Sequence, residues 1–450
     1  MEIGMISLLG ILVGLGVFIF LAFRSFNLQL TALIATAVML LFAGSGENGY
    51  FANIYDGIFT TWLGGVAGAL RSYFLIFCFG SMFGLLMARG GATKRIAFTL
   101  ASGIRGIKNP VTKKVMAAFF VPLLYIILSY VGISGFVIVF TVLYIGMELF
   151  RECDIPWRMY CMGGASVAST MILGGSIQVA NVAAAEITGT KSLTAGMGIS
   201  IVGFALFVVT MIIMIRFELQ GAEKRGETFM TTGTEFVKTS QSSGSAEGLP
   251  NIIISVIPMI AVIACAILGI NVSLALLIGC LLSVILYWKW LNEGGNTWLK
   301  VVGEGMTSAY VPLMSVCCTV AMGSVIKVLP GFDQLLAMMG SLPDVAQGVG
   351  LMAVFSFMMA SSTTAVPAFG EVVFQKFSAA GLTPALSHRL MLMSSAPFAI
   401  VFHNAGVVNA STLAKIEYKH AVSVYIRYSC LPALPGLIVA LILVSVGLLH

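Results

Sequence analysis

The sequence predicts an all-α polytopic membrane protein of two halves with opposite topology, each carrying a re-entrant hairpin and a broken helix. Three observations predict it. The 450 residues are 59% hydrophobic and only 9% charged, against about a quarter charged in a soluble domain. Apolar runs suited to membrane helices, at about 20 residues per span, recur along the whole chain. One polar stretch, 217–250, divides these runs into two series whose polar breaks fall in the same order.

The composition excludes a soluble enzyme and a nucleic-acid binder. The net charge of +6 is small and scattered, and in a membrane protein it reports orientation. The 49 glycines let helices approach closely and break inside a bilayer. The eight cysteines show no C-x-x-C or zinc spacing and read as small apolar side chains. No metal site or cofactor is expected. Residues 1–23 form an apolar run without a basic n-region or a cleavage site, so they read as a first membrane helix.

Taken in order, the apolar runs lie near 4–23, 27–44, 70–88, 115–130, 136–150, 157–174, 193–215, 251–270, 272–290, 308–327, 345–360, 386–402 and 428–448. The stretch 45–70 holds Glu47 and Asp56 and no basic residue, whereas 89–114 holds Arg89, Lys94, Arg95, Arg105, Lys108, Lys113 and Lys114. The positive-inside rule makes the second cytoplasmic and the first external. The stretch 217–250, charged first and Ser/Gly-rich later, reads as a flexible cytoplasmic linker. The expected organisation is 1–216, linker 217–250, and 251–450. For the charge pattern to close, segments of about 115–151 and 345–378 must enter and leave on one side. They read as re-entrant hairpins, from the inside and the outside respectively, with two ordinary spans at each place as the alternative that charge alone leaves open.

An internal repeat supports this. In CFGSMFGLLMARGG (78–91) and AMGSVIKVLPG (321–331) a Gly-Ser pair opens similar segments that end at Gly90-Gly91 and Pro330-Gly331, and SYVGISGFVIVF (129–140) stands where ASSTTAVPAFGEVVF (360–374) stands later, alike in order and spacing more than in identity. About 40 residues beyond each tip comes a polar break: LGGSIQVAN (173–181) and FHNAGVVN (402–409). These place broken helices at about 157–190 and 386–415.

A helix interrupted in lipid strands backbone groups, which is tolerated only where they line a cavity or meet a ligand. The breaks and tips gather Ser134 and Gly135; Gly174, Gly175, Ser176, Gln178 and Asn181; Ser361, Ser362, Thr363 and Thr364; and His403, Asn404, Gly406 and Asn409. Hydroxyls, amides and half-helix N-termini suit a carboxylate, and the set lacks the acid that a cationic substrate needs. His403 reads as the one intramembrane histidine and, with Glu371, as a proton-coupling candidate. His388 and His420 fall near helix ends. No G-x-S-x-G, H-E-x-x-H or P-loop is present, so the chain is not expected to be an enzyme, and transport would draw on an ion gradient.

Several segments resemble the gluconate permease (gluconate:proton symporter) family. They are FGSMFGLLMARGGATKRIAFTL (79–100), GFVIVFTVLYIGMELFRECDIP (135–156), LGGSIQVANVAAAEITGT (173–190) and FHNAGVVNASTLAKIEYKHAVSVYI (402–426). The resemblance implies the ion-transporter superfamily fold, with a scaffold and a transport domain, a homodimer, and elevator-type alternating access in a bacterial-type cytoplasmic (inner) membrane. It implies a small organic anion, a sugar acid or hydroxy-monocarboxylate, moving with protons, with sodium coupling or passive uniport as alternatives. Gly175, Ser176, Gln178, Asn181, His403, Asn404 and Gly406 match motif positions. Ile133 stands where many members carry an acid, GGSIQ replaces a PHPGP motif, and Phe402 replaces a usual proline. These departures point to a smaller, less hydroxylated monocarboxylate than gluconate.

Overall fold

A computed structural model describes residues 2–24, 26–44, 49–133, 135–190, 193–237, 247–293, 297–338, 340–401 and 404–448. Ser134, Phe402 and His403 lie outside the described residues, as do the burial of Gly135 and the side chain of Asn409.

The described chain is all-helical. Helices α1 (Glu2–Phe23) and α2 (Leu28–Leu41) pair first. Next comes α3 (Tyr50–Asp56), which continues through a π-helical turn, Gly57–Trp62, into α4 (Leu63–Arg89). A short α5 (Ala92–Arg105) leads to the pair α6 (Pro110–Tyr130) and α7 (Gly135–Glu152). A 3₁₀ turn, Trp157–Cys161, then opens α8 (Met162–Ser166) and α9 (Ser169–Ile172), with α10 (Val179–Thr188) beyond a break and α11 (Met197–Lys224) closing the series. After α12 (Phe229–Val237) the order recurs. It runs through α13 (Ile252–Ile267), α14 (Val272–Leu286), a short α15 (Trp288–Leu291), α16 (Trp298–Ser308), α17 (Tyr310–Val328) and α18 (Pro330–Met338). It ends with α19 (Asp344–Met359), α20 (Ser362–Ala379), α21 (Pro384–Ser395), a break, α22 (Ala405–Ala414) and α23 (Tyr418–Ser445).

Helix starts follow from the sequence. Asn27, Asn109, Asn251 and Asn271 each accept from a backbone N–H in the first turn, satisfying donors that lipid cannot. Pro110 and Pro384 occupy first-turn positions where a missing N–H costs nothing.

Six helical stretches are long and apolar enough to cross a bilayer: Ile3–Phe23, Tyr50–Arg89, Pro110–Tyr130, Met197–Lys224, Trp298–Val328 and Tyr418–Ser445. Three of them begin well before the runs near 70–88, 308–327 and 428–448. Polar residues such as Asp56, Glu304 and Lys419 sit within their first two turns without breaking the helix. Large apolar side chains cover the outside, Leu268 at 77% exposed among them, as a lipid-facing surface requires.

The packing partners correspond between the two series. Helix α1 lies on α2 and α18, while α13 lies on α14 and α5; α2 packs on α17, and α14 on α4. Helices α4 and α17 pack on each other, as do α11 and α23. At the α11–α23 crossing a methyl built on Gly436 would stand 2.8 Å from Gly203 Cα, so small residues there set the helix separation.

The stretch 217–237, expected to be part of a flexible linker, is helical and docked. Helix α11 continues to Lys224 because its charges are paired. Glu218 meets Arg225 and Arg427, each at 3.1 Å, and also Arg158; Glu227 meets Arg158 at 2.7 Å and Arg225 at 2.6 Å. Phe229 N–H donates to Asp154 (2.9 Å), and Trp157 N–H to Thr232 Oγ1 (2.7 Å). The Trp157 indole stacks on Tyr160, meets Phe229 edge-on, and donates to the Ala414 carbonyl at 2.9 Å.

Burial raises the Glu227 carboxyl, but hydrogen bonds from Arg225 and Arg158 hold it below its usual value. A lowered carboxylate contributes stability at neutral pH that is lost as pH falls through its folded value. The melting temperature of the detergent-solubilised protein should fall from about pH 5 to about pH 3. Glu227→Gln should melt lower at neutral pH and lose less on acidification. Superimposable pH curves would contradict the pairing.

Candidate functional site

At the first break the chain leaves α9 at Ile172 and re-enters helix at Val179. Gly175 turns it with φ +90°, and a methyl there would meet Tyr130 Oη at 2.5 Å, so both conformation and space demand glycine. The stranded backbone is satisfied piece by piece. Ser176 Oγ donates to Thr170 O at 2.6 Å, Gly174 N–H donates to Ser200 Oγ at 2.6 Å, and Ser200 Oγ donates to Ile172 O. Gly175 N–H donates to Leu193 O at 2.9 Å.

The end of α6 supplies the rest. Tyr130 Oη donates to Gly174 O at 2.6 Å, Ile177 N–H donates to Tyr130 O at 3.0 Å, and Gln178 Nε2 donates to Ser129 O at 2.7 Å. The turn after α6 is therefore fixed to the break. No side chain caps the N-terminus of α10, whose N-cap position is Gln178. Ser129 Oγ is buried and has no hydrogen-bond partner.

The second break repeats the arrangement with other residues. Asn404 Nδ2 donates to Ala360 O at 2.6 Å, and its Oδ1 accepts from Gly406 N–H at 2.8 Å to cap α22. Ala360 ends α19 in a left-handed conformation, φ +48°. Ser361 opens α20 without a side-chain cap. Thr364 Oγ1 donates to Ser361 O at 3.1 Å, Thr363 is half-buried, and the buried Ser362 Oγ has no partner. In both places an amide at the start of the second half-helix grips the carbonyl that ends the neighbouring helix. The two sets are also tied together, since α10 packs on α20 and α21, and α22 on α7 and α8.

Asn181, expected to face a ligand, is fully buried and bonded inward. Its Nδ2 donates to Ser176 O at 2.7 Å and Leu193 O at 3.3 Å, leaving Oδ1 to accept from His388 Nε2 at 2.8 Å. His388 Nδ1 then pairs with Thr190 Oγ1 at 2.8 Å. His388, expected near a helix end, is 0% exposed in the second turn of α21. The neighbouring Arg389, also 0% exposed, donates to Met171 O, Leu193 O and Ala195 O at 3.0–3.2 Å. Sequence reasoning missed this pair. The available signal was an Arg within an apolar run, where charge at membrane depth marks function or a paired interior.

Glu371 is exposed on α20, nine positions beyond Ser362, and lies near enough to Lys327 of α17 to interact with its charge. Gly135 begins α7 and Asn409 lies in α22. Among the described residues no group of three His, Cys, Asp or Glu could hold a metal. A cavity of about 710 Å³ opens elsewhere, lined by Arg158, Glu218, Glu227, Lys415, Glu417 and Arg427. Its guanidiniums and carboxylates largely pair with one another, so we place no substrate there.

No family model matches the chain. It is 23% identical to an uncharacterized transporter, YxjC of Bacillus subtilis (strain 168), over 92% of this chain and 94% of that protein. It is similar in fold to the crystal structure of the YdaH transporter of Alcanivorax borkumensis, described as having an unusual topology. The TM-score is 0.55 at 14% identity, over 94% of this chain and 99% of the other.

The Asn181–His388 contact should be measurable as coupling. Asn181→Ala strands the His388 ring N–H and removes a donor from the Ser176 carbonyl, while Leu193 O keeps Gly175 N–H and Arg389. At a cost of about 1–3 kcal/mol for each buried unpaired group, it should lower the melting temperature. His388→Ala in the same background should add less than it does alone, since the two share one bond. Strict additivity in a thermal double-mutant cycle would contradict the contact.

Proposed function

We propose that this chain is a secondary transporter that imports a small organic anion, a sugar acid or hydroxy-monocarboxylate, with protons. The observation that carries this reading is the matched pair of breaks. In each, Gln178 or Asn404 fastens a half-helix start to a neighbouring carbonyl. Each also holds a buried hydroxyl without a partner, Ser129 or Ser362. Beside them the N-termini of α10 and α20 carry no side-chain cap. Free N–H groups and the helix dipole favour an anion, and each orphan hydroxyl asks for an acceptor. No Asp or Glu stands at either break to attract a cation. The named transporters among similar proteins support the broad class.

On this reading the recurring order of elements is an inverted repeat, 1–216 and 251–450, joined by a cytoplasmic linker. The α6–α7 and α19–α20 pairs are the re-entrant hairpins, and their tips with the two broken helices form the substrate site. Helices α1, α2, α4, α13, α14, α16 and α17 are the scaffold of a homodimer in a bacterial inner membrane. The remaining elements slide against it as an elevator. Gln178, Ser362, Thr363, Thr364 and Asn404, with Ser134, Gly135, Gly175, Ser176, Gly406 and Asn409, line or shape the site. Asn181 braces it, and His403 or Glu371 carries the proton.

Uptake into proteoliposomes of labelled sugar acids, short hydroxy acids, dicarboxylates and amino acids, with proton and sodium gradients imposed separately, tests the proposal. Concentrative uptake of one monocarboxylate under an inward proton gradient is expected, and Asn404→Ala should abolish it in folded protein. A sodium requirement would replace the proton. Flux that only equilibrates would make the chain a uniporter. No uptake of any anion would overturn the reading.

A further inference from the structure

The first break holds a cation that the chain itself supplies. At an interrupted membrane helix, unwound carbonyls and the C-terminal end of the first half-helix form the usual seat of a coupling ion. Here that seat is Met171 O, in the last turn of α9, with Leu193 O and Ala195 O from the segment that follows α10. All three accept from Arg389. Nη1 donates to Met171 O at 3.2 Å, Nη2 to Leu193 O and Ala195 O at 3.0 Å each, and Nε to Ala195 O at 3.2 Å. A methyl built on Gly174 would lie 3.1 Å from Nη2, so the guanidinium abuts the segment that interrupts the helix.

Two further facts separate this from an ordinary buried ion pair. Arg389 is fully buried, and among the described residues no carboxylate lies within ion-pair distance of it. A buried charge without a partner is costly, and Arg stays charged at any physiological pH. Its compensation comes from carbonyl dipoles, as for a bound metal ion. At the second break the corresponding amide, Asn404, is present, but no described Arg or Lys donates to the carbonyls around it. The two breaks differ in this respect.

We propose that Arg389 is a tethered cation, occupying the ion seat of the first break so that this break needs no metal ion to fold or to work. The inference rests on the transporter reading above. Arg389 is a positioning residue: it holds the half-helix end and the 193–195 segment while leaving a positive charge behind the site.

The test is uptake of the carboxylate that the wild-type protein transports, in proteoliposomes. Arg389→Ala should lose uptake by more than about tenfold, since the guanidinium's bonds to Met171 O and Ala195 O go and Leu193 O loses one of its three donors. Guanidinium chloride at tens of millimolar should restore part of it, and methylammonium less, because only guanidinium matches the fork of donors. A purely structural role would give no rescue by a soluble cation. Arg389→Lys should keep uptake above that of the equally long but neutral Arg389→Met. If Arg389→Ala yields no monodisperse protein, the Lys and Met variants decide. Equal uptake by these two, or unrescued loss in folded Arg389→Ala, overturns the proposal, as does undiminished uptake. Absence of uptake by the wild-type protein would instead be a failure of the transporter reading.

Discussion

Everything in this structure depends on satisfying the backbone of two helices that stop partway along an apolar path. Water is not there to take up the freed N–H and C=O groups, and leaving one unpaired in hydrocarbon costs several kcal/mol. The chain answers with side chains from the gaps themselves and from the neighbouring helices α6 and α11. Ser176, Ser200, Tyr130 and Gln178 close the first break, and Asn404 closes the second from both its amide atoms. These bonds cross between helices, so the repair of each break also fixes the turn beside it. Repair and site construction are the same act.

The groups left over define the chemistry. Uncapped helix starts and unpartnered serines are donors, and donors without acceptors suit an anion. Arg389 adds positive charge to the first break with no acid to cancel it. By contrast, the clustered Arg and Glu residues at the ends of α11 and α23 largely neutralise each other. Their role is mechanical: they hold the start of the first interrupted helix against α12, α11 and α23. Trp157 sits at that joint and reaches the end of α22, so the two interrupted helices are linked at this end as well as through α10 and α21.

Much of this was legible in the sequence, because lipid makes polar residues conspicuous. LGGSIQVAN and FHNAGVVN stood out as polar interruptions of apolar runs, and the structure breaks α9–α10 and α21–α22 there. The hairpin segments expected at about 115–151 and 345–378 correspond to helix pairs over Pro110–Glu152 and Asp344–Ala379. What was not legible depends on contacts far apart in sequence. His388 reads locally as a helix-end residue, and only the approach of Asn181, 207 positions away, buries it. Glu218, Arg225 and Glu227 read as linker charges until Arg158 and Arg427 pair with them. Long helices were underestimated for a related reason: polar residues near a membrane surface cost little, so hydropathy falls before the helix ends.

The central claim is that the two breaks bind the transported anion. Hydrogen–deuterium exchange in lipid nanodiscs, with and without that anion, tests it most directly because it reads backbone N–H groups. Binding should slow exchange in 174–182 and in 360–366 together with 404–410. Protection confined to the cavity around Arg158 and Arg427, with both breaks unchanged, would contradict the account.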